Sequence, residues 1–287
     1  MTAKIIDGRR LAGTMRVALG ERVQHLQKQG VYPSLVVILI GDDPASQVYV
    51  RNKIKACEAV GIRSITHHLP NDTGEQDLLE LIARLNSDPD VHGILVQLPI
   101  PKHFDLTKVL EEISVDKDVD GFHLYNIGGL VTGNTIFSPC TPYGVVKLLE
   151  SEAIPIEGQN VVIVGASNIV GKPMALMLMA ADATVSICHA KTRDLAQYTI
   201  LADILVVAAG VPNLILPQMV KRGAVVIDVG INRLPDGSIT GDVDFVGVSA
   251  KASAITPVPG GVGPMTVTML LENTISSAER ASCPSGG

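Results

Sequence analysis

The sequence contains no tryptophan and only five tyrosines and four phenylalanines among its 287 residues. Sites that stack single-stranded nucleic acid need aromatic side chains, so this class of site is not expected. The chain also lacks an excess of basic residues, because 23 Lys and Arg stand against 29 Asp and Glu, a net charge of −6. We therefore expect no nucleic acid and no anionic membrane among its partners.

Long hydrophobic runs and paired cysteines are also missing. The longest strictly apolar run, 174–181, is far shorter than the roughly 20 residues that cross a bilayer, and charged residues near the start break any apolar signal segment. The four cysteines lie far apart without a Cys-x-x-Cys pair, so neither a metal site nor a disulfide framework is predicted. The expectation is a reduced, cytoplasmic protein.

The order of the predicted elements indicates an α/β protein. Apolar residues make up 46% of the chain and charged residues 18%, which is enough to build cores, and the length suits two domains. Helical patterns at 9–29, 44–61, 74–86 and 105–113 alternate with apolar runs at 35–40, 62–69 and 93–97. Repeated strand and helix predict a parallel sheet in the first half.

The stretch 116–142 is rich in Gly, Asn, Thr and Pro and lacks apolar periodicity, so it is predicted to be a linker with functional loops. The alternation then resumes, with helices at 141–152, 172–181, 194–201 and 215–222 and strands at 160–164, 183–188, 204–208 and 224–229. A turn at 235–237 joins two short extended segments, a last helix covers 264–280, and the end of the chain from residue 282 is expected to be a frayed tail. We predict a parallel α/β domain over 1–139, a Rossmann-type dinucleotide-binding domain over 140–263, and a cleft between them.

A glycine turn follows the first strand of the second domain, with Gly165, Ala166 and Ser167 leading to Gly171 and a helix. Such a turn brings backbone N–H groups and a helix N-terminus close to a ligand and favours a phosphate. The loop matches neither a Walker A motif nor a nucleophile elbow, and it has a serine at the middle glycine of the dinucleotide motif. Its position in a βαβ unit nevertheless favours a dinucleotide, the alternative being a tight turn that binds nothing.

The next strand ends at His189 and Ala190, followed by Lys191 and Arg193. An NAD site usually has an acidic residue here to hold the ribose hydroxyls. Two cations suit a phosphorylated ribose better, so NADP is predicted, with NAD possible. The alternative is that Lys191 and Arg193 are ordinary solvated charges.

The helix after the first buried strand carries Ser46, Tyr49 and Lys53 on one face. It starts at the carboxyl end of a strand, where ligands bind in open sheets, so Tyr49 is placed to pack on a planar ligand while Lys53 handles a proton. The alternative, which assigns no function to these residues, is that Lys53 and its neighbours Arg51 and Lys55 form the solvated face of an amphipathic helix.

Three further segments point to the same region of the predicted cleft. Gln97 ends a buried strand and is followed by Leu98 and Pro99, while Asp120 belongs to a polar loop with two carboxylates. A glycine-rich loop over 257–264 leads into the last helix and is able to approach a ligand through its backbone.

Taken together, these segments resemble the bifunctional methylenetetrahydrofolate dehydrogenase/methenyltetrahydrofolate cyclohydrolase family of bacterial type, and the resemblance covers nearly the whole chain. The matching segments are Ala45 to Val50 with Lys53, Gly93 to Pro101, Lys117 to His123, Pro139 to Pro142, Val164 to Pro173, Asp228 to Asn232 and Thr256 to Thr266.

The resemblance implies roles for individual residues. Lys53 would be the catalytic residue positioned by Gln97, Tyr49 would stack against the aminobenzoyl part of the folate, and Asp120 would hydrogen-bond its pterin. The folate site would also include Leu98, Pro99, Pro259, Gly260 and Gly261. The dinucleotide site would be formed by Gly165, Ala166, Ser167, His189, Ala190, Lys191 and Ile231.

The resemblance further implies oxidation of methylenetetrahydrofolate by NADP and hydrolysis of the methenyl product to 10-formyltetrahydrofolate, within one-carbon metabolism and purine biosynthesis. It implies a homodimer formed through the nucleotide-binding domains, and a last helix, 264–280, that packs back on the first domain. Members usually carry an arginine for the ribose phosphate where Ala166 or Ala190 stands, so Ser167, Lys191 or Arg193 would have to replace it.

Two alternatives remain at this point. A two-domain dehydrogenase of the shikimate type also pairs a lysine with an aspartate, but it leaves the Tyr49–Lys53 helix unexplained. A non-catalytic dinucleotide-binding sensor would have no use for a lysine, an amide and a carboxylate that converge on one site.

Overall fold

The computed structural model describes residues 2–282. Within that range the chain forms two compact units, residues 14–140 with 267–282 and residues 2–13 with 141–266. We name them the Lys53 unit and the Gly165 unit. The domain boundaries predicted from the sequence, after residues 139 and 263, stay a prediction. No helix within residues 2–282 is long and apolar enough to cross a membrane, and the tail from residue 283 onward lies outside the described residues.

The Lys53 unit is built on a three-stranded parallel sheet. Its strands, numbered in chain order with those of the other unit, are β2 (Ser34–Ile40), β3 (Arg63–Leu69) and β4 (Gly93–Val96). The spatial order is β3-β2-β4, and β2 is buried along its whole length. An apolar run without alternation is what a strand covered on both faces requires.

Helices follow each strand of this unit, as the alternation in the sequence predicts. They are α2 (Pro44–Val60), α3 (Glu75–Ser87), α4 (Leu106–Glu112) and α5 (Leu124–Thr132). Two long helices, α1 (Gly8–Lys28) and α10 (Val262–Ser282), contribute the parts that belong to this unit. Arg22 of α1 donates hydrogen bonds to Glu272 and Glu279 of α10 at 2.6 to 2.9 Å, which ties these two helices together.

The Gly165 unit contains a six-stranded parallel sheet. Its strands are β1 (Lys4–Ile5), β5 (Asn160–Val164), β6 (Thr184–Cys188), β7 (Ile204–Val207), β8 (Val225–Asp228) and β11 (Ala254–Ile255). The order is β1-β11-β8-β7-β5-β6, so β6 lies at an edge. Two short strands, β9 (Asn232–Arg233) and β10 (Ile239–Thr240), form an antiparallel pair. The helices are α6 (Cys140–Ser151), α7 (Gly171–Ala180), α8 (Ala196–Thr199) and α9 (Phe245–Ser249).

Two predictions about secondary structure were wrong. The helix predicted over 215–222 is only a single 3₁₀ turn at Pro217–Met219, because Ile215 is extended and bridges in parallel to Val243. The stretch 116–142, predicted to be a linker, contains α5, which is capped by the side chain of His123. The secondary structure of these two segments is determined by a tertiary strand pairing and by a side-chain cap, not by local apolar periodicity.

Candidate active site

Helix α2 begins where strand β2 ends, and its start is fixed by a cap. The carboxylate of Asp43 accepts hydrogen bonds from the backbone N–H and the hydroxyl of Ser46, at 2.7 and 2.8 Å. These bonds lower the pKa of Asp43, and Pro44 occupies the first helical position. The cap sets the rotation of the helix at the carboxyl edge of the sheet.

Tyr49 and Lys53 lie one turn apart on this helix. Tyr49 is 40% exposed, and burial of the rest of the ring raises the pKa of its hydroxyl. Lys53 is half-buried, whereas Arg51 and Lys55 on the same helix are exposed. Lys53 therefore differs from its basic neighbours, which form the solvated face.

The lysine contacts the amide that ends strand β4. Lys53 Nζ donates a hydrogen bond to Gln97 Oε1 at 3.1 Å. The other end of the Gln97 amide donates to the carbonyl of Leu98 at 2.7 Å, and the side chain is 9% exposed. Because both ends of the amide have partners, Gln97 holds the Lys53 ammonium in one orientation.

The loop that carries Asp120 is held by Asp118, which is 1% exposed. Asp118 accepts hydrogen bonds from the His123 backbone N–H and the Asn126 side chain, both at 2.8 Å, yet burial raises the pKa of Asp118 to about 6. Burial also raises the pKa of Asp120, and the positive charge of Lys53 acts against this rise. The structure thus brings Tyr49, Lys53, Gln97 and Asp120 into the same unit.

Asn273 of helix α10 supports the same loop, and no role was predicted for it from the sequence. Its amide donates to the carbonyls of Val119 and Ser138 at 2.8 and 3.1 Å, and the thiol of Cys140 donates to Val119 at 3.3 Å. The signal available in the sequence was a single asparagine that follows Leu270 and Leu271 in a helical pattern.

The predicted glycine loop joins β5 to α7 in the Gly165 unit. Gly165 has φ +125°, and a Cβ there would collide with the carbonyl of Ala208 at the end of β7. A Cβ on Gly171 would likewise collide with the carbonyl of Gly165. Both glycines are therefore required by the close approach of backbone to backbone.

The first N–H groups of α7 already have partners inside the loop. The Ser167 hydroxyl accepts from the N–H of Val170 at 3.1 Å and of Gly171 at 3.4 Å, and the Ser167 carbonyl accepts from Lys172 at 3.1 Å. A phosphate near this helix would thus be attracted by the helix dipole and by side chains rather than by these N–H groups.

The end of strand β6 presents His189, Ala190 and Lys191 to solvent. The ring Nδ1 of His189 accepts the backbone N–H of Lys191 at 3.1 Å. Within residues 2–282, the side chains of Lys191 and Arg193 have no hydrogen-bond or ion-pair partner, and both are exposed. Two exposed cationic side chains therefore follow β6, at the position where an NAD site has a carboxylate.

Ile231 follows β8 and is 44% exposed. Its Cδ1 atom lies 3.8 Å from the position that a Cβ on Gly263 would occupy. The segment of Pro259, Gly260 and Gly261 belongs to the Gly165 unit, where the Gly260 carbonyl accepts the N–H of Arg9 at 3.0 Å. The structure thus places these residues in the unit that carries the glycine loop, and Tyr49, Lys53, Gln97, Leu98, Pro99 and Asp120 in the other.

A parallel sheet with a glycine turn after β5 and cations after β6 defines a nucleotide-binding α/β unit. The second α/β unit carries a lysine, an amide and a carboxylate suited to proton transfer. Together they define the class of two-domain α/β enzymes with a dinucleotide-binding domain.

Comparison with known proteins gives the family. Residues 6–120 match the family model described as tetrahydrofolate dehydrogenase/cyclohydrolase, catalytic domain, and residues 139–282 match the NAD(P)-binding domain of the same family. The chain belongs to the tetrahydrofolate dehydrogenase/cyclohydrolase family.

Individual relatives agree over the full length. The bifunctional protein FolD of Nitrosospira multiformis is 59% identical over 281 residues, 98% of each chain. The crystal structure of the bifunctional dehydrogenase/cyclohydrolase FolD from Campylobacter jejuni is 55% identical with a TM-score of 0.96, covering 97% of this chain and 99% of that one. The Trypanosoma brucei FolD structure, complexed with NADP cofactor and inhibitor, is 38% identical with a TM-score of 0.95, covering 99% and 100%. These matches confirm the predicted family and α/β fold class, and they favour the predicted activity over both alternatives.

Proposed function

We propose that this chain oxidises methylenetetrahydrofolate to the methenyl form with NADP and then hydrolyses that product to 10-formyltetrahydrofolate. The observation that carries the proposal is the hydrogen bond from Lys53 Nζ to Gln97 Oε1 at the carboxyl edge of the β3-β2-β4 sheet. It holds an amine, the group that the hydrolytic step needs for its protons, where open α/β sheets bind ligands.

Lys53 would move protons during the hydrolysis. Water adds its oxygen to the methenyl carbon and gives up one proton, which leaves a hydroxyl on that carbon. The bond from the carbon to N5 then breaks, N5 takes up a proton, and the hydroxyl loses its remaining proton as the formyl C=O forms, so the whole reaction releases one proton. The methenyl carbon is already electrophilic, so the protein has to place a proton acceptor and donor beside it. The Lys53 amine can serve as both in turn, and its bond to Gln97 keeps it in place.

The remaining residues of the Lys53 unit would hold the folate. Tyr49 offers a partly exposed ring for the planar aminobenzoyl group. Asp120 would hydrogen-bond the pterin, which carries N–H donors. Leu98 and Pro99 follow directly on Gln97 and would line the same site. The folate role predicted for Pro259, Gly260 and Gly261, which belong to the Gly165 unit, stays a prediction.

The Gly165 unit would hold the dinucleotide. NADP bound there would supply the two-electron acceptor for the hydride that leaves the methylene carbon with both electrons of its C–H bond. Gly165, Ala166 and Ser167 form the turn at the end of β5 that would lie along the dinucleotide, and Ile231 offers an exposed apolar side chain after β8. Lys191, following His189 and Ala190, would attract the additional phosphate of NADP. The close packing at Gly165 and Gly171 supports this assignment.

The test is a pair of spectrophotometric assays on the purified protein. Methylenetetrahydrofolate with NADP or NAD should give methenyl product and reduced cofactor. Methenyltetrahydrofolate without cofactor should lose its absorbance faster than in buffer. Failure of the first assay with both cofactors, at concentrations that saturate related enzymes, would overturn the dehydrogenase, and failure of the second would overturn the cyclohydrolase.

We also propose a homodimer formed through the nucleotide-binding units. Strand β6 lies at the edge of its sheet and exposes Ile187, and Tyr198 and Leu201, which follow it in the chain, are exposed as well, so that the three side chains are 40 to 59% exposed. An exposed edge with apolar side chains is a site for association. Light scattering should give twice the chain mass of 30.3 kDa, and Ile187→Asp should shift the protein towards monomer. A monomeric wild-type protein would refute the proposal.

The location we propose is the cytoplasm, supported by free cysteines at positions 57, 140 and 188. Fractionation of cells that express the protein tests this.

A further inference from the structure

Two buried carboxylates of the Gly165 unit have no role in the function proposed above. Asp228 ends strand β8 and is 4% exposed, and Asp242 is 0% exposed. Burying an ionised carboxylate is costly unless hydrogen bonds compensate it. The hydrogen-bond partners of the two carboxylates therefore show which parts of the structure the buried charges hold in place.

Asp242 connects two loops that follow neighbouring strands. Its Oδ2 atom accepts the backbone N–H groups of Ala209 and Gly210, just after β7, at 2.7 and 2.8 Å. Its Oδ1 atom accepts the side-chain amide of Asn232, after β8, at 2.7 Å. One carboxylate thus sets the spacing between the loop that follows β7 and the loop that follows β8.

Asp228 holds Asp242 and the start of the second loop. Its Oδ1 atom accepts the backbone N–H groups of Gly230 and Asp242, both at 3.0 Å, and its Oδ2 atom accepts that of Val243 at 3.0 Å. Every partner that the described residues supply to these two carboxylates is an N–H group rather than a Lys or Arg side chain. An ionised carboxylate, with two acceptor oxygens, can accept all the bonds that each residue receives.

Two glycines make room for the pair in a reciprocal way. A Cβ on Gly230 would overlap the carboxylate of Asp242, and a Cβ on Gly241 would overlap the carboxylate of Asp228. The backbone of each segment therefore lies directly against the carboxylate anchored in the other.

The first loop also borders the glycine turn. Ala208, next to Ala209, has its carbonyl where a Cβ on Gly165 would be. The second loop carries Ile231 between Gly230 and Asn232. The carboxylate pair thus links the segment that packs against the glycine turn to the segment that carries Ile231, and the proposed function assigns that turn and Ile231 to the dinucleotide.

We propose that Asp242, supported by Asp228, is a positioning residue of the dinucleotide site. It fixes the distance between the loop at Ala209 and Gly210 and the loop at Ile231, and so sets cofactor affinity without touching the cofactor. This inference rests on the proposed function, because it takes the Gly165 unit to bind NADP.

The test compares Asp242→Asn with the wild-type chain. Asparagine has nearly the same shape, but its NH₂ group donates hydrogen bonds and only its single oxygen accepts them. It therefore cannot accept from both loops as the two carboxylate oxygens do. We expect the Kd for NADPH, measured by titration of its fluorescence, to rise about tenfold or more, equivalent to ~1.4 kcal/mol. The cyclohydrolase rate, assayed from methenyltetrahydrofolate without cofactor, should stay within about twofold, since that step uses no dinucleotide.

Asp203→Asn is the matched control. Asp203 also accepts a backbone N–H, from Asn160 at 2.9 Å, and pairs with Lys221, but it precedes β7 instead of following it. Its loss should lower stability without changing the Kd for NADPH. If Asp242→Asn does not fold, Asn232→Ala removes a single bond to Asp242 and should raise the Kd severalfold.

The outcomes separate the two proposals. A wild-type protein that binds neither NADPH nor NADH would overturn the proposed function, and the inference with it. A wild-type protein that binds NADPH while Asp242→Asn, or Asn232→Ala in its place, binds it equally well would overturn the inference alone. Equal losses of both activities with unchanged Kd would also overturn it, by showing a general structural role.

Discussion

Replacing Lys53 by methionine should separate the two activities. The substitution keeps an unbranched side chain of similar length but removes the ammonium that donates to Gln97 at 3.1 Å. Positioned acid–base groups contribute about 10²–10⁴-fold to a rate, which is ~2.7–5.4 kcal/mol of the activation barrier. We therefore expect the cyclohydrolase kcat to fall by about that factor. The dehydrogenase should fall by less than about tenfold, because the hydride leaves with its electron pair and no proton is transferred.

Lys53→Met should lower the free energy of unfolding only moderately. Methionine leaves Gln97 Oε1 without its lysine partner, and Gln97 is 9% exposed. Loss of one partner of such a hydrogen bond costs about 1–3 kcal/mol, which is less than the 5–15 kcal/mol that typically stabilises a folded domain. The variant should fold, and Tyr49 should still contact the folate. The pKa of Asp120 should rise further, because the Lys53 charge no longer opposes the effect of burial.

The assay follows the loss of methenyl absorbance for the cyclohydrolase and the gain of reduced cofactor for the dehydrogenase. Lys55→Met is the matched control, because Lys55 lies on the same helix but is exposed, and both activities should be unchanged. Folate binding by Lys53→Met, measured by calorimetry, should stay within about tenfold of wild type, or ~1.4 kcal/mol. If Lys53→Met binds folate and keeps its cyclohydrolase rate, Lys53 has no proton role.

Two further predictions concern charges outside the lysine site. Lys191→Ala should raise the Michaelis constant for NADP by up to about fivefold, as expected for an exposed charge pair, and should leave that for NAD unchanged; equal effects on both cofactors would remove Lys191 from the phosphate site. Asp118→Asn should change how stability depends on pH. The pKa of Asp118 in the folded protein, about 6, lies above its ordinary value of 3.8, so the folded protein binds this proton more tightly than the unfolded chain does. The free energy of unfolding of wild type should therefore fall by up to ~3 kcal/mol relative to the variant as pH rises from about 4 to 6. Urea titrations of both proteins across this range measure the difference, and a wild type that gains stability relative to the variant would contradict the assignment.

Strands β2, β4, β5, β7 and β8 could be predicted from the sequence, because a strand buried on both faces needs an apolar run. Strand β2 is the clearest case, with all seven residues buried between a preceding proline and a following glycine. Strands β1 and β11 could not be predicted. Each has two residues, and Lys4 pairs with Ala254 from the far end of the chain, so neither has local periodicity.

The carboxylate pair marks a second limit of sequence reasoning. Asp242 looks like an ordinary polar loop residue, since it stands between glycine and valine in a turn-rich segment, whereas Asp228 falls inside the predicted strand 224–229 without any sign of a buried partner. Their burial is created by the fold, which brings the ends of β7 and β8 together. Nothing in the local pattern distinguishes Asp242 from the exposed Asp236 of the nearby turn.

The contact between Lys53 and Gln97 could be predicted only in part from the sequence. The sequence could place Lys53 on the helix after one strand and Gln97 at the end of another, but not show that those two strands are neighbours. The order β3-β2-β4 makes them so, with Ile38 of β2 opposite Val96 of β4. If β3 stood between β2 and β4 instead, Gln97 would be displaced by one strand spacing, about 4.8 Å, and its amide could not reach the ammonium. The proposed proton chemistry therefore depends on strand order, which is a property of the assembled sheet and not of either segment.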